Sequence, residues 1–267
     1  MRFAFHKMHG LGNDFVVIDA RAQAIAMDAS RARAIADRHR GIGCDQLILL
    51  EPSDQADLRM RIFNADGAEV EQCGNALRCV ASLTGAERIQ TQGGLVSATA
   101  AGGLVSIDMG APRFGWDEIP LAYPADTADL PMAWGELAHG VAVSVGNPHI
   151  IFFVPDLDAV PLAKLGPEIE HDPVFPERVN VNVAQVTGPS SLRLRVWERG
   201  AGLTQACGTG ACATAVAAIR RKLVQSPVTV SLPGGDLIIA WAPGETIRMS
   251  GPANHVFTGE AELEAFG

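Results

Sequence analysis

Two cysteines are followed by glycine-led runs of small residues, a pattern typical of a helix start. Cys73 precedes Gly74, and Cys207 precedes Gly208 134 residues later. At the positive end of a helix a thiolate is stabilised, so we expect the pKa of both thiols to be lowered. A thiolate that takes a proton from one face of a carbon, with a thiol that supplies one to the other face, inverts a stereocentre without a cofactor. The pair therefore predicts acid/base chemistry at a carbon atom.

The same helix starts offer backbone N–H groups to an anion. The first amides of a helix have no partner within it, and the helix dipole favours negative charge there. A carboxylate held by both helix starts would leave its α-carbon between the sulfurs, and the same donors would stabilise an enolate-like charge. The amides expected to do this belong to Gly74, Asn75, Gly208 and Thr209.

Spacing also suggests partners for the sulfurs. Glu198 lies nine residues before Cys207 and could accept its proton, whereas Asn64, at the equivalent position before Cys73, could not. If the first thiol needs a partner, His149 is the best candidate. His149 alone is more often a structural histidine, and the asparagines near it are equally typical of turns.

An internal repeat positions these groups. The offset of 134 holds without a gap from residue 58 to 75, and upstream it joins Asn13 to Asn147 and Gln46 to Asn180. Downstream, after an insertion of seven residues, the correspondence between the halves resumes, with Gly94 and Gly110 matching Gly235 and Gly251. The repeat predicts an α+β fold of two pseudo-symmetric domains, each a set of short strands wrapped around a central helix, with the active site in the cleft between them. The expected domains are residues 1–112 plus 253–267, and residues 113–252.

Local patterns place the elements within each half. Alternating apolar and polar residues predict strands at 58–63 and 192–198, ahead of helices at 74–83 and 208–222. Residues 30–39 predict a helix capped by Ser30 or Asp28. The Pro-rich segment 110–137 is expected to be an irregular connector. The tail 253–262 has no counterpart in its own half, so we expect it to return as a strand of the first domain.

Composition excludes several classes of partner. The 267 residues carry a net charge of −9 and no basic block, so nucleic acid is not expected. The apolar runs have the length of strands, so no membrane span is expected. The start of the chain lacks a signal-like apolar segment and the cysteine count is five, which favours a reduced, cytoplasmic protein. No Cys-x-x-Cys or His-Glu-x-x-His motif occurs, so no metal site is predicted.

Simpler interpretations apply to the other thiols. Cys44, Cys79 and Cys212 are expected to be small core residues. A disulfide between Cys73 and Cys207 would contradict acid/base roles, and a reducing compartment disfavours it.

Several motifs together resemble the diaminopimelate epimerase family over essentially the whole chain. They are Phe5–Phe15, Asn64–Gly67, Gln72–Asn75, Arg178–Asn180, Trp197–Gly200 and Ala206–Ala211. The resemblance implies a pyridoxal-independent homodimeric enzyme that interconverts LL- and meso-2,6-diaminopimelate, for lysine and peptidoglycan synthesis. Leu203 departs from the family, in which many members carry glutamate.

The resemblance also assigns roles to residues. Cys73 and Cys207 would be the acid/base pair, supported by His149 and Glu198. The backbone carboxylate cradle would be Gly74, Asn75, Gly208 and Thr209. The ligand-binding side chains would be Asn13, Gln46, Asn64, Asn147, Asn180, Glu198 and Arg199.

Three alternatives remain open at this point. A two-cysteine racemase of proline or hydroxyproline is disfavoured because Glu198 and Arg199 suit the distal zwitterion of diaminopimelate, which a cyclic imino acid lacks. A thiol–disulfide oxidoreductase is disfavoured by the missing Cys-x-x-Cys. A non-catalytic amino-acid-binding module would bind ligand without exchanging its α-proton.

Overall fold

The chain is organised as two units, each built of short strands around one buried helix. A computed structural model describes residues 1–267. The first unit comprises Met1–Asp108 with Gly251–Gly267, and the second comprises Met109–Ser250. The boundaries after residues 112 and 252 remain a prediction.

The first unit begins with eight strands and two helices. In chain order they are β1 (Arg2–Gly10), β2 (Asn13–Asp19), α1 (Ala29–Ala36), β3 (Gln46–Glu51), β4 (Leu58–Asn64), β5 (Glu69–Val70), α2 (Gly74–Thr84), β6 (Arg88–Thr91), β7 (Gly94–Ala101) and β8 (Leu104–Asp108).

The second unit follows with nine strands and two helices. They are β9 (Leu130–Trp134), β10 (Leu137–Ser144), β11 (Pro148–Phe153), α3 (Leu162–Glu170), β12 (Asn180–Gly188), β13 (Ser191–Glu198), β14 (Gly202–Leu203), α4 (Gly208–Arg220), β15 (Val228–Leu232), β16 (Gly235–Ala240) and β17 (Arg248–Gly251). None of the four α-helices has the length and hydropathy needed to cross a membrane.

The last strand belongs to the first unit. β18 (Asn254–Glu262) pairs antiparallel with β1, and a 3-10 helix follows at Leu263–Phe266. This is the position at which the sequence predicts a returning strand.

The two units repeat one strand topology. β2 and β3 are parallel with Phe15 opposite Gln46, and β11 and β12 are parallel with His149 opposite Asn180. The antiparallel pairs β3–β4 and β12–β13 and the parallel pairs β4–β6 and β13–β15 also correspond. The offset of 134 therefore holds in the register of β2, β3 and β4 with β11, β12 and β13, and it becomes 141 after the seven-residue insertion, where Ile89 corresponds to Val230. The predicted α+β fold with an internal duplication is confirmed.

Each central helix is buried over most of its length. α2 is buried from Gly74 to Ala81 and packs against β1, β7 and β8. It ends at Thr84, and the next residue, Gly85, adopts a left-handed conformation that glycine accepts without steric cost. The alanine-rich α4 packs against β10, β11 and β16. Strands therefore surround both helices, and each helix start is fixed within its unit.

The structure selects Asp28 of the two predicted caps of α1, and it corrects the bounds of that helix and the description of one connector. α1 begins at Ala29 and ends at Ala36, with Asp28 as its N-cap, because the Asp28 carboxylate accepts the amide of Arg31. Ser30 therefore lies within the helix. The segment expected to be an irregular connector contains β9, which pairs antiparallel with β10.

Candidate active site

Cys73 lies at the start of α2 in the first unit, within a network of amides. Its Sγ is 3.9 Å from Asn13 Oδ1, which also accepts a hydrogen bond from Asn75 Nδ2 at 3.2 Å. Asn13 Nδ2 donates to Asp45 Oδ2 at 3.0 Å, so the carboxylate fixes which end of the amide faces the sulfur. Cys73 is half-buried and makes no side-chain cap bond to its helix.

A buried cation, Arg78, lies at the other end of this network. The guanidinium of Arg78, with no exposed surface, donates to Asn75 Oδ1 at 3.0 Å and to the Pro252 carbonyl at 3.2 Å. Gly10 provides the space, because a Cβ there would lie 3.0 Å from Arg78 Nη2. Donors and acceptors therefore alternate from Arg78 through Asn75 and Asn13 to Asp45.

Gln46 and Asn64 face each other across β3 and β4. Gln46 Nε2 donates to Asn64 Oδ1 at 2.9 Å, and the two residues are register partners. Gln46 Oε1 is buried without a hydrogen-bond partner. Such an oxygen is disposed to accept a hydrogen bond from a bound ammonium group.

Cys207 lies at the start of α4 in the second unit and is almost completely buried. Its Sγ accepts the Gly210 amide at 3.3 Å and lies 3.5 Å from Thr209 Oγ1. Burial raises the pKa of the Cys207 thiol well above its ordinary value, and the charge of Glu198 raises it further. The Thr209 and Gly210 hydrogen bonds oppose this. The expectation of a lowered pKa is therefore wrong for Cys207 in this structure, because desolvation outweighs the helix N-terminus.

Glu198 is the carboxylate beside Cys207. It accepts from Thr204 Oγ1 and hydrogen-bonds the Cys207 thiol. Burial raises the pKa of the Glu198 carboxyl, against the opposing effect of those two hydrogen bonds. A thiol and a carboxyl that both resist ionisation can exchange one proton.

His149 is completely buried at the start of β11. Its Nε2 is 3.0 Å from Asn147 Oδ1, and its Nδ1 is 3.1 Å from Asn182 Nδ2. Asn147 Nδ2 in turn donates to Thr209 Oγ1 at 3.3 Å. Burial lowers the pKa of His149 to about 3, so the imidazole is neutral at physiological pH. Within the second unit, His149 is thus connected to the helix start that carries Cys207.

Asn180 and Arg199 are hydrogen-bonded to each other at the turn after β13. Asn180 Nδ2 donates to the Pro148 carbonyl and its Oδ1 accepts the Arg199 amide, both at 2.9 Å. The exposed Arg199 guanidinium donates to the Glu177 carbonyl at 2.9 Å. The buried Glu170 accepts the Gly200 amide at 3.0 Å. Asn180 and Glu170 therefore fix the turn that presents Glu198 and Arg199.

The structure brings the predicted residues together in two groups, one per unit. Around the start of α2 lie Cys73, Gly74, Asn75 and Asn13, with Gln46 and Asn64 paired at the adjoining strand ends. Around the start of α4 lie Cys207, Gly208, Thr209, Glu198, Asn147 and His149, and Asn180 contacts the turn at Arg199.

Five supporting residues were missed from the sequence: Asp45, Arg78, Glu170, Asn182 and Thr204. Asn182 had a usable signal, because it is a polar residue within an apolar strand pattern. The others resemble ordinary surface or turn residues when only the sequence is read.

The remaining cysteines lie in the core. Cys44, Cys79 and Cys212 are buried, and none of the five cysteines forms a disulfide. Burial raises the pKa of Cys44 and of Cys79 to about 12. No disulfide joins Cys73 to Cys207.

Solved structures of low sequence identity share this fold. A hydroxyproline epimerase from Agrobacterium vitis, with bound trans-4-hydroxy-L-proline, aligns with a TM-score of 0.69 at 16% identity, over 100% of this chain and 92% of that one. A phenazine biosynthesis protein of the PhzF family from Bacillus anthracis aligns with a TM-score of 0.69 at 16% identity, over 98% and 99%. The fold is therefore that of a class of proteins that includes epimerases.

Sequence comparison gives the family. The model described as diaminopimelate epimerase matches residues 5–114 and 141–256. The diaminopimelate epimerase of Sphingopyxis alaskensis is 67% identical over 264 residues, covering 98% of each chain, and that of Zymomonas mobilis is 54% identical over 268 residues, covering 100% of each. The chain belongs to the diaminopimelate epimerase family and is an amino-acid epimerase.

Proposed function

We propose that the protein interconverts LL- and meso-2,6-diaminopimelate by a two-base reaction in which Cys73 and Cys207 act on opposite faces of one α-carbon. One sulfur takes the α-proton as a thiolate, and the other supplies a proton as a thiol, so no cofactor is required. The observation that carries the proposal is the matched cysteine at the start of each buried helix, in two units of equal strand register, within a chain of this family.

The surroundings of Cys207 support its role. Glu198 hydrogen-bonds the thiol and has a raised pKa, so it can receive the thiol proton when the thiolate is needed. Thr209 and Gly210 offer hydrogen bonds to the sulfur and so oppose the cost of burying its charge. His149 is the proposed supporting partner for Cys73. Both of its ring nitrogens are hydrogen-bonded, to Asn147 and Asn182, so it would act through Asn147 rather than by a direct hydrogen bond to the sulfur.

The polar groups near the helix starts support a small zwitterionic substrate. Backbone amides of Gly74, Asn75, Gly208 and Thr209 would bind the carboxylate next to the reacting carbon. At the unreacting end, Arg199 would pair with the carboxylate and Glu198 would accept from the ammonium. The neutral contacts would come from Asn13, Gln46, Asn64, Asn147 and Asn180. The unpartnered Oε1 of Gln46 favours a ligand donor there.

The biological setting belongs to the same proposal. The reaction serves lysine and peptidoglycan synthesis in the cytoplasm, and the working enzyme is a homodimer. Sedimentation of the purified protein tests the dimer directly.

The deciding experiment removes each sulfur in turn. Cys73→Ala and Cys207→Ala should each lower kcat for epimerisation by about 10²–10⁴-fold, since each deletes a general acid/base. Cys79→Ala on α2 and Cys212→Ala on α4 are matched controls, because both remove a buried thiol from the same helices. Near-normal turnover by either Cys73 or Cys207 variant would remove the two-base assignment.

Isotope exchange and substrate choice complete the test. In D₂O the product should gain deuterium at the inverted centre without added cofactor, and a requirement for pyridoxal phosphate would refute the mechanism.

Proline and hydroxyproline, assayed beside diaminopimelate, should not be turned over, because they leave the distal polar contacts unpaired.

A further inference from the structure

Asn182 is a completely buried amide on β12, at a position where the first unit carries the apolar Ile48. Its Nδ2 is 3.1 Å from the Ile150 carbonyl, 3.3 Å from the Asn180 carbonyl and 3.1 Å from His149 Nδ1. Carbonyl oxygens only accept, so the nitrogen end of the amide must face them. An amide nitrogen has two hydrogens, so one is shared between the two carbonyl oxygens and the other is donated to His149 Nδ1, which must be unprotonated.

This orientation leaves the other end of the Asn182 amide without a partner. Asn182 Oδ1 is buried without a hydrogen-bond partner. It lies beside the first turn of α4, since a Cβ on Gly210 would be 2.7 Å from it. Rotating the amide by half a turn would set this oxygen against two carbonyl oxygens, which is worse than leaving it unpaired. An unsatisfied buried oxygen calls for an explanation beyond packing.

The direction of every later hydrogen bond follows from that first donor. With Nδ1 accepting, the neutral imidazole carries its proton on Nε2 and donates to Asn147 Oδ1. Asn147 then presents Nδ2 to Thr209 Oγ1, which accepts it. The Thr209 hydroxyl hydrogen is left to point at Cys207 Sγ, 3.5 Å away.

We propose that Asn182 is a positioning residue for Cys207: it fixes the Nε2–H form of His149 and, through Asn147 and Thr209, keeps a hydrogen-bond donor aimed at the sulfur. This role rests on the proposed function of Cys207 as an acid/base group. The donor stabilises the thiolate, which burial and the neighbouring carboxylate oppose. The low pKa of His149 is consistent with a neutral link in the chain.

The first test needs no variant. In protein labelled with ¹⁵N-histidine, the resonances of His149 at neutral pH should show a protonated Nε2 and an unprotonated Nδ1. Assignment follows from the signals lost in His149→Gln. A protonated Nδ1 in the unsubstituted protein would overturn the proposal.

The second test removes the first donor. Asn182→Leu keeps the approximate shape of the side chain but cannot donate, so the Nε2–H form is no longer enforced. Alkylation of Cys207 by iodoacetamide, followed peptide by peptide, should slow about tenfold at pH 7, equivalent to a rise of about one unit in its apparent pKa. The rate at Cys73 should not change.

Thr214→Val on α4 controls for the general effect of removing a buried polar group, because it removes a buried hydroxyl that has no hydrogen-bond partner. It should leave the His149 tautomer and the Cys207 pH profile unaltered. An unchanged Cys207 profile in Asn182→Leu would refute the positioning role even if Cys207→Ala is inactive. Conversely, full turnover by Cys207→Ala would refute the proposed function while leaving the tautomer and alkylation results intact.

Discussion

The starts of α2 and α4 have equivalent backbones and different chemistry. At α2 a half-buried sulfur lies beside a chain of amides that runs from a buried cation, Arg78, to a carboxylate, Asp45. At α4 a fully buried sulfur receives hydrogen bonds itself, and its helix is capped by the sulfur. The two units thus agree in where each cysteine lies and differ in the groups that surround its sulfur.

Individual equivalent pairs show how the copies diverged. His149 and Asn182 occupy the register positions of Phe15 and Ile48, which are buried apolar residues. Asn64 corresponds to Glu198. The second unit therefore has polar side chains at strand positions that are apolar in the first unit, whereas the network around Cys73 includes the charged groups Arg78 and Asp45.

The largest effect is expected from Glu198→Gln. Turnover should fall about 10²-fold, because no carboxylate remains to take the thiol proton. The same change should lower the pKa of Cys207, since the charge of Glu198 raises it, and alkylation of Cys207 should therefore become faster. Slower turnover together with faster alkylation of Cys207 is the result expected if Glu198 accepts the proton of the Cys207 thiol.

The mirror substitution sharpens this prediction. Asn64→Asp places a carboxylate at the equivalent register position of the first unit and should slow alkylation of Cys73. If Glu198→Gln leaves both turnover and Cys207 reactivity unchanged, the difference between the two helix starts has no chemical role.

Sequence spacing was sufficient for the repeat, the two cysteines and most strands, because these depend on local pattern. It was insufficient where contacts link distant residues. Asn182 is 33 residues from His149, and only the parallel register of β11 and β12 brings them together. The pKa of Cys207 was mispredicted for a related reason, since burial depends on every strand packed around α4.

An intermediate effect is expected from Arg78→Met. The substitution leaves the buried Asn75 carbonyl oxygen and the Pro252 carbonyl without the donor seen here, so the free energy of unfolding should fall by at least about 2 kcal/mol. Urea denaturation measures this. Turnover should also fall, because Asn75 loses the contact that fixes its orientation beside Asn13 and Cys73.

Arg78→Lys separates charge from geometry. A lysine keeps the cation but not the planar fork that reaches two acceptors, so it should recover little of the lost stability. Full recovery by lysine would mean that charge alone matters at this site, and the proposed amide orientation would lose its support.

The smallest effect concerns acid. Partial burial of Asp14 raises the pKa of its carboxyl. Hydrogen bonds from Arg38 and Lys7 outweigh burial, so the pKa lies below its ordinary value. A lowered pKa in the folded state stabilises the protein at pH values above the unfolded-state pKa of ~3.9. This contribution is lost as the pH falls towards the folded-state pKa. The second unit has Pro148 at the equivalent position, and His149 stays neutral down to about pH 3. Asp14→Asn should therefore be less stable than the unsubstituted protein by on the order of 1–2 kcal/mol at pH 6–7, with the gap narrowing below about pH 4. A gap that is constant from neutral pH to pH 2 would show that this charge cluster does not distinguish the first unit, and the contrast would then rest on the sulfur environments alone.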